Sequence, residues 1–192
     1  LKGEQVEVGV KYQPTDSASL YTATVYDLRE KNRQAPDPVN PNNQIQNGET
    51  SARGIELEAK VDVNAHWDLI ANYAYTDTEV EEGNNKGARL PSIPAHTASI
   101  WSQHDLRSVG IPGLRAGAGV RYVGSSWDGT DQLKTPAETL LDAMIAYGRD
   151  NWELALNVNN LTNETYFTTC LARGDCFIGT KRTVTGTLSY RF

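Results

Sequence analysis

Thr183-Val184-Thr185-Gly186-Thr187-Leu188-Ser189-Tyr190-Arg191-Phe192 closes the chain. Val184, Leu188, Tyr190 and Phe192 share one parity with Gly186, and Thr183, Thr185, Thr187, Ser189 and Arg191 share the other. A two-residue period with unlike faces is the mark of a β-strand. The same reading extends backwards through the chain. Gly54 to Val63 sets Ile55, Leu57, Ala59, Val61 and Val63 against Glu56, Glu58, Lys60 and Asp62. Gln5 to Tyr12, Leu20 to Arg29, Trp67 to Thr76, His96 to His104, Leu114 to Gly124, Thr139 to Tyr147 and Trp152 to Asn159 complete nine expected strands.

The connections alternate in length. Residues 13–19, 64–66, 105–113 and 148–151 are expected to be short links; 30–50, 77–94, 125–138 and about 165–180 are expected to be long loops. Short turns at one end and long loops at the other are the asymmetry of an up-and-down transmembrane barrel, and a β-sandwich has no reason to keep it. Aromatics gather near strand ends, at Tyr12, Trp67, Tyr75, Tyr122, Tyr147, Trp152 and Tyr190, as an interfacial girdle requires. A soluble sheet that packs these rings into a core is the competing reading, because alternation alone suits both.

The 192 residues are 39% hydrophobic and 22% charged, with a mean hydropathy of -0.52. Such averages fit a soluble protein, but they fit equally a barrel wall, where only one face of each strand is apolar. No run approaches the roughly 18 apolar residues of a membrane-spanning helix. A net charge of -6 without a basic cluster argues against nucleic acid as a partner. The first residue is Leu1, and the chain is expected to be a piece of a longer protein.

Few residues point to chemistry. Cys170 and Cys176 enclose five residues; with no third cysteine nearby, a disulfide is favoured over zinc in an oxidising compartment, free thiols being the plain alternative. His66, His96 and His104 lack ligand spacing, and Glu79, Glu81 and Glu82 read as a solvated acidic loop, with calcium as the alternative. Gly117-x-Gly119 lies inside a strand, so it is no phosphate loop. No nucleophile and base stand in a catalytic pattern, and an enzyme is not expected.

Asn159-Asn160-Leu161-Thr162-Asn163-Glu164-Thr165-Tyr166, the cysteine pair and the strand ending in Phe192 resemble the C-terminal signature of TonB-dependent outer-membrane receptors. The final aromatic resembles the assembly signal of outer-membrane barrels. Gly9-Val10-Lys11-Tyr12, Leu90-Pro91, Ile93-Pro94, Gly119-Val120-Arg121-Tyr122-Val123-Gly124 and Leu141-Asp142-Ala143 extend the likeness over the chain. Within the family, the cysteine pair is most similar to the ferrichrome and hydroxamate-siderophore branch. Thr162 and Asn163 depart from the Phe and Asp that the family often has there.

The resemblance implies an all-β, antiparallel up-and-down transmembrane β-barrel, of which residues 1–192 are the C-terminal nine strands. The family wall has 22 strands around a plug; at about 21 residues per strand and connection it needs roughly 470 residues. The plug and the N-terminal strands would lie outside this sequence. The implied function is binding of a ferric siderophore at the surface of the bacterial outer membrane and TonB-dependent import. The partners are that ligand, outer-membrane lipid and, through the plug, the TonB complex; no cofactor is bound covalently. Ligand contact is expected from Trp127, Tyr166, Phe167 and Phe177, with Arg173 available to negative chelates, and Cys170–Cys176 is expected to be a structural disulfide. Support of a loop, or of the membrane interface, is the alternative for each aromatic. Other cargo in the same fold (haem, cobalamin or a carbohydrate) and a soluble β-sheet binding domain are the rival functions.

Overall fold

The structure, a computed structural model, describes residues 1–36 and 44–192. Its strands are β1 (Lys2–Tyr12), β2 (Leu20–Pro36), β3 (Gln44–Asn64), β4 (Trp67–Glu82), β5 (His96–Asp105), β6 (Leu114–Val123), β7 (Ser126–Trp127), β8 (Lys134–Thr135), β9 (Glu138–Arg149), β10 (Trp152–Asn159), β11 (Phe167–Cys170), β12 (Cys176–Ile178) and β13 (Thr183–Tyr190). Nine of them form one sheet in the order β1-β2-β3-β4-β5-β6-β9-β10-β13, with every pair antiparallel. Each strand lies beside its neighbour in sequence, as in a meander, apart from two small hairpins, β7–β8 and β11–β12, that stand outside the sheet.

Register turns the alternation of single strands into two continuous faces. Tyr12, Tyr21, Ala59, Ala71, Ile100, Val120 and Leu141 follow one another across seven strands. One residue along, Thr22, Glu58, Asn72, Ser99 and Arg121 form a row on the opposite face. A one-residue slip anywhere would exchange the faces. The apolar face is uncovered: Val8 is 68% exposed, Ile100 54% and Leu188 66%. At about 25 cal/mol per Å² of apolar surface, leaving such a face in water costs on the order of tens of kcal/mol, against net stabilities of about 5–15. Lipid removes that penalty, whereas a soluble sheet would bury this face against a second layer.

Rings bound the apolar band at both ends. Beside the short links Tyr12 stacks on Tyr21 (6.2 Å), Trp67 on His104 (5.1 Å), and Trp152 packs on Tyr190 (4.5 Å), which meets Phe192 edge-on. At the other end Tyr73 and Tyr75 flank His96. Trp67 and Tyr75 lie on one face of β4, about 27 Å apart along an extended strand, or roughly 20 Å of height at a tilt near 40°. Beyond Tyr75 the same face becomes charged, with Arg53 bonded to Asp77 at 2.9 Å.

Several expected loops prove to be structured. Of the expected loop 30–50, β2 takes in the residues as far as Pro36 and β3 those from Gln44; Pro38 and Pro41 lie outside the described residues. Likewise β4 continues through Glu82. These extensions are mostly polar, with Ile45 and Val80 as isolated apolar residues, so they carry no period-two signal. They are held by the ladder itself and by cross-strand pairs such as Lys31–Glu49 at 3.5 Å. The link 105–113 contains a 3-10 turn, Leu106–Val109, whose Asp105 side chain caps Arg107 N–H and is held below the usual carboxylate range by that bond.

Buried residues lie mainly at the long-loop end and are largely polar: Thr50, Thr78, Ser126, Asp128, Thr135, Asp142 and Asn160, with Ala88, Leu140 and Cys170. The best-packed part of the described chain is therefore the loop cluster.

Candidate functional site: the loop cluster

Three segments meet above the polar face: 83–95, the β7–β8 hairpin and the β11–β12 hairpin. Ser92 N–H donates to Trp127 O at 2.9 Å, and Cys170 N–H donates to Thr135 Oγ1 at 2.8 Å. The hydroxyls of Ser92 and Thr169 hydrogen-bond to each other. Leu90 N–H reaches the buried hydroxyl of Thr78 at 3.1 Å, which fastens the first segment to β4.

The cysteine hairpin closes as expected. Cys170 and Cys176 are disulfide-bonded and face each other in the β11–β12 register. Leu171 N–H donates to Asp175 O and Gly174 N–H to Leu171 O, which makes the turn. Arg173 stands at the tip in a two-point pair with Asp175, at 2.6 and 2.9 Å. That bond is the main cause holding the Asp175 carboxyl below its usual range, and it raises Arg173 in turn. The cation expected to meet negative chelates is thus already neutralised within the turn.

Of the expected ligand residues, Tyr166, Phe167 and Phe177 share this hairpin. Phe167 and Phe177 are 41% and 49% exposed. Tyr166 is half-buried, its ring seated on Gly179, where any Cβ would overlap it; Gly179 N–H donates to Tyr166 O at 2.8 Å. Trp127 stands apart on β7. The Arg89 guanidinium lies 5.1 Å and the Lys134 ammonium 5.6 Å from its ring centroid, a two-cation arrangement that engages its π face. Next to it Asp128 accepts from the Thr130 hydroxyl at 2.6 Å and from the N–H groups of Thr130 and Gln132. Those bonds, the hydroxyl first, bring its pKa down to about 2.

Two groups escaped the reading of the sequence. One is a ladder at the base of the hairpin: Arg121 pairs with Asp142, Asp142 accepts Asn160 N–H, and the Asn160 carboxamide bonds to the backbone of Glu164 and Thr180. Its three members stand in separate stretches of the family likeness, around Arg121, Asp142 and Asn160, and nothing in those stretches showed that they meet. The other is Trp101, whose ring lies against Gly117 and Gly119 on the polar face, leaving no room for a Cβ at either. This close approach accounts for the Gly-x-Gly spacing. A concavity of about 480 Å³ on the wall includes Thr24, Glu56, Glu58, Asn72, Ser99 and Arg121 in its lining. A second cleft, of about 400 Å³, lies between the β2–β3 extension and residues 83–91 and 128–130; of the cysteine hairpin it touches Ala172 alone.

Residues 1–161 match the family described as TonB dependent receptor-like, beta-barrel. The chain is 36% identical over 198 residues to the ferrichrome outer membrane transporter/phage receptor of Escherichia coli (strain K12), a match covering 100% of this chain and 26% of that protein. It is 33% identical over 202 residues to the ferrioxamine receptor of Yersinia enterocolitica, covering 100% of this chain and 28% of the relative. The crystal structure of the siderophore receptor PiuA from Acinetobacter baumannii superposes with a TM-score of 0.84 at 24% identity, over 98% of this chain and 28% of that one. The chain therefore spans little more than a quarter of the length of these relatives.

Proposed function

Because the chain belongs to the TonB-dependent receptor β-barrel family of the outer membrane, we propose that it supplies the C-terminal part of a barrel wall in a receptor that binds a ferric siderophore and imports it in a TonB-dependent way. The observation that carries this reading is the pairing of a continuous uncovered apolar face with an opposite polar face, surmounted by a cross-bonded loop cluster. The apolar face meets lipid and the polar face lines the lumen. The plug and the remaining strands belong to other parts of the whole protein, and contact with TonB runs through the plug.

A ferric hydroxamate is the cargo that the cysteine loop and the two named relatives favour. Its iron is already fully coordinated, so the protein has only to hold the outside of the complex, by aromatic contact and hydrogen bonds. Phe167 and Phe177 offer exposed rings on a hairpin stiffened by the disulfide, and Tyr166 borders them. Trp127 contributes at the cluster's other side, and Arg173, paired with Asp175, contributes guanidinium N–H groups more than net charge.

The test is binding of iron-loaded ferrichrome to the full-length receptor with Phe167→Ala and Phe177→Ala together. Loss of two aromatic contacts is expected to weaken binding roughly tenfold or more. Unaltered affinity would remove the hairpin from the binding site. Saturable binding of haem, cobalamin or an oligosaccharide in place of ferrichrome would transfer the reading to that cargo.

A further inference from the structure

We propose that Asn160 is a positioning residue for ligand binding, a clasp that sets the stance of the cysteine hairpin without touching the ligand. The proposal rests on the reading that this hairpin meets the ferric siderophore. Asn160 is 2% exposed and directly follows β10. Its Oδ1 accepts Glu164 N–H at 2.8 Å, and its Nδ2 donates to Glu164 O at 2.9 Å and to Thr180 O at 3.2 Å. One side chain thus joins the entry of the hairpin to its exit. Tyr166, Phe167, Cys170, Arg173, Cys176 and Phe177 all fall between those two ends.

The same residue fastens the hairpin to the wall. Its N–H donates to Asp142 Oδ1 at 2.9 Å, and Asp142 in β9 is gripped by Arg121 in β6. Leu161 N–H adds a bond to Leu141 O at 2.7 Å. A buried carboxamide with its donors and acceptor all used is a poor ligand contact and a strong geometric constraint. Its φ of 54° is one that Asn, Asp and Gly adopt far more readily than other residues, so position 160 combines a special backbone with three side-chain bonds.

That combination shapes the experiment. In the full-length receptor, Asn160→Gly removes the carboxamide yet keeps the left-handed backbone free of strain, and Asn160→Asp retains the acceptor while losing both donations. Uptake of iron-loaded ferrichrome is expected to show a half-saturation raised roughly tenfold in Asn160→Gly, an unchanged maximal rate per receptor, and a half-saturation raised at least as far in Asn160→Asp, whose second carboxylate oxygen would face the carbonyls of Glu164 and Thr180. Amide hydrogen exchange should accelerate over 164–180 and stay as in the parent within β9 and β10. An unchanged half-saturation, or a reduced maximal rate alone, would overturn the proposal and leave Asn160 a folding residue. If the parent receptor takes up no ferrichrome, the hydroxamate reading fails by itself, and the clasp then stands or falls on hydrogen exchange over 164–180 in Asn160→Gly.

Discussion

Arg121 and Asp142, on the adjacent strands β6 and β9, form a two-point ion pair, Nε to Oδ2 at 2.5 Å and Nη2 to Oδ1 at 3.0 Å. The Asp142 side chain is 11% exposed and that of Arg121 46%, so the carboxylate depends on this partner more than the guanidinium does. Arg121→Ala leaves Asp142 with the Asn160 N–H as its remaining bond. The expected cost is about 1–3 kcal/mol, the penalty for a largely buried carboxylate short of partners. Arg121→Lys recovers only part of it, because an ammonium cannot reproduce the two-point geometry. Denaturant unfolding of the full-length receptor in detergent measures both, and a midpoint equal to the parent's for Arg121→Ala would refute the assignment.

The disulfide closes a small loop, so its effect is local. Replacing Cys170 and Cys176 by Ser is expected to loosen the hairpin by about 2 kcal/mol on chain-entropy grounds. The nine-stranded ladder is held elsewhere and should keep its stability. Trypsin provides the readout, since Arg173 sits exposed at the tip. Cleavage after Arg173 should speed up strongly in the double variant, with global unfolding almost unchanged. Equal cleavage rates would mean that the bonds to Thr135 and Ser92 hold the hairpin without the disulfide.

Much of the wall was legible because its signal is local. Ile55 to Val63 alternates residue by residue, and the faces it defines persist through register into β2 and β4. The outer ends of β2, β3 and β4 were not legible: Glu30, Lys31 and Glu49 stand where both faces meet water, so pairing continues with no apolar period to betray it. The cysteine pairing was legible from spacing. Trp127 was recognisable as a loop aromatic, but the Arg89 and Lys134 that flank it come from segments 38 residues before and 7 after. Asn160 was hidden for the same reason, since its partners Asp142 and Thr180 lie 18 and 20 residues away. Hydrogen-bonding roles of this kind leave no trace in periodicity.

Asp128 gives the β7–β8 loop an acid limit. Its folded pKa is about 2, against an ordinary value of 3.8. A depressed carboxyl pKa stabilises above the unfolded value, and the benefit is lost as pH falls through the folded one. The loop should therefore keep its form down to pH near 3.8 and loosen progressively toward about pH 2. Trp127 fluorescence, taken as the difference from a Trp127→Phe variant, follows the transition. Asp128→Asn should abolish this acid step; a step of the same midpoint in that variant would assign it to another group.

The orientation of the wall can be tested with two neighbouring residues. Ala71 lies on the apolar face, midway along β4 between Trp67 and Tyr75, and Asn72 lies on the polar face directly opposite Glu58 of β3. An arginine at the level of the bilayer midplane on the lipid side costs about 2–4 kcal/mol, whereas lumen positions tolerate charge. Ala71→Arg is thus expected to lower the folding free energy of the full-length receptor in lipid vesicles by that amount. Asn72→Arg should stay within about 0.5 kcal/mol of the parent, as an ordinary surface change would, and gains a carboxylate neighbour in Glu58. Because the residues are adjacent, strand propensity and position along the barrel axis are nearly matched, and the face is what differs. If Asn72→Arg proved the costly one, the faces would be reversed and the polar row of Thr22, Glu58, Asn72, Ser99 and Arg121 would not line the lumen.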